Sequence, residues 1–264
     1  MQDLAADRFL LGLGASKIFM KEIGQGEGEK VGPATVMRES IEVIKGVLKG
    51  EAFEYQGKVF AASVPALKQD AHTARGVPPI YVAGTGPVMQ KMAGSISEGL
   101  LTASITTPAF VRYSRKNMLE GAAKSGRDPS TLALGCVIVG SIGRDSEKGK
   151  EGAREQAAMY LANKVQNIKG SADVLLDCAE LTFDDLRPVA DAMEKGGRRA
   201  AAKAVTDEIL RKVCPIAGTP DECAQRIQEY RDAGCTHIML EIWGDDRTGQ
   251  AKLFGEAVLP QFKR

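Results

Sequence analysis

The chain has 264 residues, 44 % of them apolar and 26 % charged, with a formal net charge of +1. That length can bury a full single-domain core, and the near-neutral balance gives no electrostatic case for nucleic acid or an anionic membrane as a partner. No apolar run approaches the ~20 residues that span a bilayer, and Met1-Gln2-Asp3-Leu4 does not read as a signal peptide.

Five cysteines (Cys136, Cys178, Cys214, Cys223, Cys235) are scattered, odd in number and without C-x-x-C spacing. They read as small apolar residues of a cytoplasmic protein. With only His72 and His237 as histidines, no metal motif is expected.

In chain order, apolar runs predict buried parallel strands at Phe9 to Leu13, Ile80 to Ala83, Gly99 to Ala103, Leu132 to Ile142 and His237 to Trp243. Helical patterns lie between them. Gly32-Pro33 opens a helix with Val36, Ile41, Ile44 and Leu48 on one face, and Gly50 closes it. Glu54 to Phe60 predicts a small hairpin. Thr107-Pro108 opens a helix running towards Gly126, and Asp145 caps another through Tyr160. Residues 164 to 215 read as a long, polar, mainly helical insertion broken at Gly170, Pro188 and Gly196-Gly197, suited to a lid or an oligomer contact. Thr219-Pro220-Asp221-Glu222 is a capping box, Gly234 ends its helix, and Phe254, Val258 and Leu259 stripe the last one. Strands alternating with helices call for a parallel α/β architecture.

The sharpest local feature is Ile80-Tyr81-Val82-Ala83-Gly84-Thr85-Gly86-Pro87, followed by the apolar-periodic run Val88 to Ala93. A strand ends, a glycine turn follows, and proline takes the first helical position, where its missing N–H costs nothing. The free amides and positive end of that helix suit an anion. From these residues alone, glycines that merely permit a tight turn are the preferred explanation of the run.

Arg8-Phe9-Leu10-Leu11-Gly12-Leu13-Gly14, Tyr55-Gln56-Gly57-Lys58-Val59-Phe60, Pro78 to Pro87, Ala93-Gly94 and Glu98-Gly99-Leu100-Leu101 occur in that order, and Ala217 to Glu222, Ala233-Gly234 and Val258-Leu259-Pro260 follow. Together they resemble the bacterial-luciferase-like flavin and deazaflavin oxidoreductases, and among them the coenzyme F-420-dependent 5,10-methylenetetrahydromethanopterin reductase branch. The resemblance covers nearly the whole chain. It implies a TIM-barrel-like (β/α)8 fold in which the Arg8 to Gly14 strand is the fourth, so the five strands read as the fourth to the eighth. Residues 1–264 are then one partial barrel domain with 164–215 inserted before the last strand. Either the chain is part of a longer protein, or a second copy covers the open strand edges.

The resemblance implies that Gly84, Thr85, Gly86 and Val88 hold the phosphate side of the cofactor, with Thr102, Ala103 and Ser104 alongside. That cofactor is coenzyme F-420 or, in the alternative, FMN. In the last strand, alternation sets Ile238, Leu240 and Ile242 against the covering helices and turns Glu241 and Trp243 the other way. Glu241 is the one candidate for proton transfer or substrate orientation, and a carboxylate paired with a structural arginine is a reading of at least equal weight. His237 reads as structural, and Asp245-Asp246-Arg247 as a solvated loop. The loop after Gly14 reads Ala15-Ser16-Lys17, where the reductase branch carries an acidic residue near the ring, so no proton-donor role carries over.

The implied activity is hydride transfer between reduced coenzyme F-420 and a small organic substrate, by a cytoplasmic homo-oligomer. An FMN-dependent monooxygenase is the first alternative, and a non-catalytic truncated barrel serving as a subunit or fragment is the second.

Overall fold

The computed structural model describes residues 5, 8–15, 31–67, 76–102, 105–167 and 171–262, so Ser16, Lys17, His72, Ala103, Ser104 and Gly170 lie outside the described residues. The chain divides into two compact units, Met1–Leu101 with Lys116–Ala133, and Thr102–Arg115 with Leu134–Arg264.

The first unit carries β1 (Leu11–Gly14), α1 (Pro33–Leu48), β2 (Phe53–Gln56), β3 (Ala61–Val64), β4 (Ile80–Ala83), α2 (Pro87–Ile96), β5 (Gly99–Thr102) and the later turns of α3 (Pro108–Lys124). Strands β1, β4 and β5 run parallel, with Leu11 opposite Ile80 and Val82 opposite Leu100. Ile80, Val82 and Leu100 are fully buried, which explains why these strands read as continuous apolar runs.

Glu98 ties the strand ends together. Its carboxylate accepts the Ile80 N–H at 2.9 Å and the Lys45 ammonium at 2.7 Å. Arg127 fixes the preceding turn by donating to the Gly94 and Ser97 carbonyls at 3.1 and 2.6 Å. Gly94 of α2 and Gly121 of α3 let two backbones meet, because a Cβ on either would collide with the carbonyl of Met118 or of Lys91.

The predicted hairpin forms as antiparallel β2 and β3, with residues 57–60 as its turn. Glu39 of α1 organises that turn. Its buried carboxylate accepts the N–H groups of Lys58, Val59 and Phe60 at 2.8, 2.8 and 3.0 Å. Burial by itself would push this carboxyl up; the three amides together hold it below its ordinary value.

The second unit carries the first turns of α3, then β6 (Ala133–Ile142), α4 (Ser146–Asn167), α5 (Ser171–Ala179), α6 (Phe183–Ala204), α7 (Asp207–Val213), β7 (Ile216–Gly218), α8 (Pro220–Asp232), β8 (His237–Ile242) and α9 (Arg247–Leu253). Strand β6 pairs in parallel with both others, so that Gly140 faces Ile216 on one side and Ile242 on the other. Among the described residues the three-residue β7 adds a sixth parallel strand to the five read from the sequence, so the helical stretch expected before the last strand instead precedes the last but one. Strand β7 is too short to show a period.

Ala153, Ala157 and Leu161 of α4 pack in one core with Leu186, Val189 and Ala201 of α6. Full burial of a side chain such as Leu186 is worth roughly 1.5–3 kcal/mol. Asp145 caps α4 as expected, accepting the Lys148 N–H at 3.0 Å, but the helix runs on to Asn167 rather than stopping at Tyr160. Pro188 does not break α6. A Thr182–Asp185 capping box and the buried face of Leu186, Val189 and Ala190 carry the helix through it, and the break falls at Gly197, with φ 70°. The Thr219–Glu222 capping box of α8 is present, and Gly234 ends that helix at φ 103°. Tyr230 of α8 is fully buried, its hydroxyl 2.6 Å from the carbonyls of Thr106 and Cys214.

Candidate functional site

Strand β4 passes into α2 through Gly84, Thr85 and Gly86. The Gly84 N–H donates to the Leu101 carbonyl at 3.1 Å, continuing the strand ladder by one residue. A Cβ on Gly84 would lie 2.5 Å from Cγ of Met89, so this glycine answers to packing. Gly86 answers to neither packing nor backbone. Its φ of −84° and ψ of 151° suit any residue, and nothing lies within 4 Å of where its Cβ would be. A tight turn that needs glycine therefore does not explain Gly86; what its small size leaves is open space at the mouth of a helix.

That helix end has Gly86 as its N-cap with no side-chain cap bond, Pro87 at its first position, and the exposed Val88 next. Its leading amides are the unsatisfied donors of any helix start. Gln90, fully buried, sets the turn from below. Its side-chain amide donates to the Thr85 carbonyl at 3.2 Å and reaches the Gly84 carbonyl at 3.5 Å, and its oxygen accepts from Asn117 at 3.0 Å. Both turn carbonyls are thus met by the buried side-chain amide. Sequence reading missed Gln90. The signal was a polar residue on the buried stripe of α2, in step with Ala93 and Gly94.

Thr102 falls in the second unit, where its side chain is buried and its hydroxyl accepts from that of Thr106 at 3.3 Å. Ala103 and Ser104 are among the residues outside the description.

Glu241 stands near the end of β8. One carboxylate oxygen accepts the Tyr160 hydroxyl at 2.7 Å and the other the Trp243 indole N–H at 3.3 Å. Its partners are thus a tyrosine and a tryptophan, not the structural arginine of the alternative reading. Burial first, and the bond to Glu241 second, push the Tyr160 hydroxyl up to about 12, so it stays a donor. The guanidinium carbons of Arg198 and Arg247 each lie 5.1 Å from the centre of the Trp243 ring. The expected solvated stretch at Asp245-Asp246-Arg247 is exposed throughout and leads from a loop into a helix: Asp246 accepts the Gly249 N–H at 2.8 Å and Arg247 opens α9. His237 sits exposed at the start of β8, its Nδ1 2.8 Å from the Thr236 hydroxyl.

Among the described residues, no group of His, Cys, Asp or Glu is placed to hold a metal, and no helix is long and apolar enough to cross a membrane.

A family model described as luciferase-like monooxygenase matches residues 1–237. The chain belongs to that family. Over 269 aligned positions it is 29 % identical to the 5,10-methylenetetrahydromethanopterin reductase of Archaeoglobus fulgidus, covering 100 % of this chain and 76 % of the relative. The enzyme of that name from Methanopyrus kandleri is 30 % identical over 236 positions, covering 89 % of this chain and 65 % of the relative, so the chain spans just under two thirds of that protein. The solved structure of the coenzyme F420 dependent tetrahydromethanopterin reductase from Methanopyrus kandleri superposes with a TM-score of 0.80 at 28 % identity, covering 96 % of this chain and 74 % of that one. The fold is accordingly the TIM-barrel type of the luciferase-like enzymes.

Proposed function

We propose that this chain is an oxidoreductase that transfers hydride between reduced coenzyme F-420 and a small organic substrate, in the manner of methylenetetrahydromethanopterin reductase. The carrying observation is similarity along the whole chain, in sequence and in structure, to reductases that depend on this coenzyme. The deazaflavin, when bound, supplies the hydride chemistry, and the protein supplies binding and orientation.

The residues present fit its phosphate. Gly84 closes the turn against Met89, Gly86 leaves room for an oxyanion, and the Thr85 hydroxyl with the leading amides at Val88 and Met89 would donate to it. Gln90 engages the competing carbonyl oxygens. Glu241, held by Tyr160 and Trp243, is the carboxylate assigned to substrate orientation. We read the working form as a cytoplasmic homo-oligomer, on the scattered cysteines and on the exposed apolar side chains Leu10, Val88 and Leu259.

The test is a titration of the purified protein with coenzyme F-420 and, separately, with FMN, followed by absorbance and fluorescence. Saturable binding of coenzyme F-420 that weakens in Gly86→Val is the expected result. Preference for FMN would favour the monooxygenase reading, which the family description itself supports. Binding of neither would favour a non-catalytic subunit.

A further inference from the structure

The end of β8 carries a second arrangement that the phosphate turn does not use. Trp243 is the single tryptophan of the chain. Its edge is fixed by the indole N–H to Glu241, whose other oxygen is held by Tyr160 of α4. Beyond that held edge, the ring is met by two guanidinium groups, each 5.1 Å from its centre. One comes from Arg198, directly after the Gly197 break in α6, and the other from Arg247, the first residue of α9.

One arginine is enough to cover an indole face. Two bring like charges no further apart than twice that distance, and neither makes an ion pair with a carboxylate among the described residues. Two carboxylates of this stretch are engaged elsewhere. Glu241 is occupied by the tyrosine and the indole, and Asp246 by the Gly249 amide that it caps. Asp245 is exposed on the same loop. Both arginines are themselves exposed, so their remaining N–H donors are open to a molecule arriving from solvent. Planar guanidinium forks favour carboxylate and phosphate oxygens, and two of them favour a ligand with more than one such group.

We propose that Arg198 and Arg247, set about the Trp243 ring, form an anion-binding face for an organic molecule carrying two or more carboxylate or phosphate groups. Glu241 and Tyr160 act as positioning residues that hold the edge of the ring beside the two guanidinium groups. This assignment does not depend on which cofactor the protein uses.

The lone tryptophan makes the test direct, because intrinsic indole emission reports only this place. The full chain, without cofactor and at low ionic strength, is titrated with pyrophosphate and in parallel with citrate. A saturable change in Trp243 emission is expected, and it should fade as salt is added. Response to pyrophosphate alone assigns phosphate, response to citrate alone assigns carboxylate, and response to both assigns charge as the determinant. Arg198→Gln and Arg247→Gln should each weaken the response about tenfold, the effect of removing one charge-assisted hydrogen bond, and Arg198→Lys should retain part of it. Unchanged circular dichroism of these variants separates impaired binding from impaired folding. No saturable change with either anion, or a change that survives both substitutions to glutamine, overturns the proposal.

Discussion

The turn after β4 and the cluster at the end of β8 are built from different materials. The first is made of backbone: amides at a helix start, two small residues, and one buried glutamine that engages the carbonyls. The second is made of side chains drawn from α4, α6, β8 and α9, positioned by one carboxylate. A backbone site depends on few residue identities and survives many substitutions around it. A side-chain site can be removed piece by piece, and each piece leaves a distinct trace.

The largest expected effect comes from Gln90→Leu, which strands the Thr85 carbonyl and removes a partner of Asn117 inside the first unit. A loss of about 2–4 kcal/mol in unfolding free energy is expected, together with weaker phosphate binding. Urea denaturation followed by circular dichroism measures the first part. A variant as stable as the parent would show that the backbone turn holds itself.

Tyr160→Phe tests the side-chain cluster, with about 1 kcal/mol as the expected cost. Its pH dependence has a definite sign. The folded hydroxyl titrates at about 12, above the ordinary tyrosine value near 10, so its contribution is fully present below the ordinary value. It is lost as pH rises through the folded one. Melts across that alkaline window should converge for parent and Tyr160→Phe, and Trp243 emission should shift in the variant because Glu241 loses its outer anchor.

The smallest effect on stability, and the most selective, belongs to Gly86→Ala. The backbone there suits alanine and the space is open, so unfolding free energy should stay level or rise by about 0.5 kcal/mol. Binding of the phosphate-bearing cofactor should nevertheless fall, since the methyl group occupies the oxyanion's place. Lower stability with unchanged binding would assign Gly86 to the fold instead.

Local signals in the sequence located most of the elements. Gly32-Pro33, Thr107-Pro108 and the Thr219 box each mark a helix start with two or more short-range cues, and the apolar runs of β4 and β5 show their burial. Where several residues must act over a distance, these cues fail. Pro188 looks like a helix breaker until the buried face of α6 is known, and β7 is too short to show a pattern. The same holds for the sites. The phosphate turn lies within seven consecutive residues and is legible, whereas Tyr160, Arg198 and Trp243 become neighbours only through folding.

The hairpin bound by Glu39 limits how its surface can change. Exposed turns ordinarily accept extra residues readily. At 57–60, one inserted residue would carry part of the amide trio away from the carboxylate and leave a charge enclosed in protein without its donors. Length there is therefore constrained by a buried carboxylate, although the tip itself faces water.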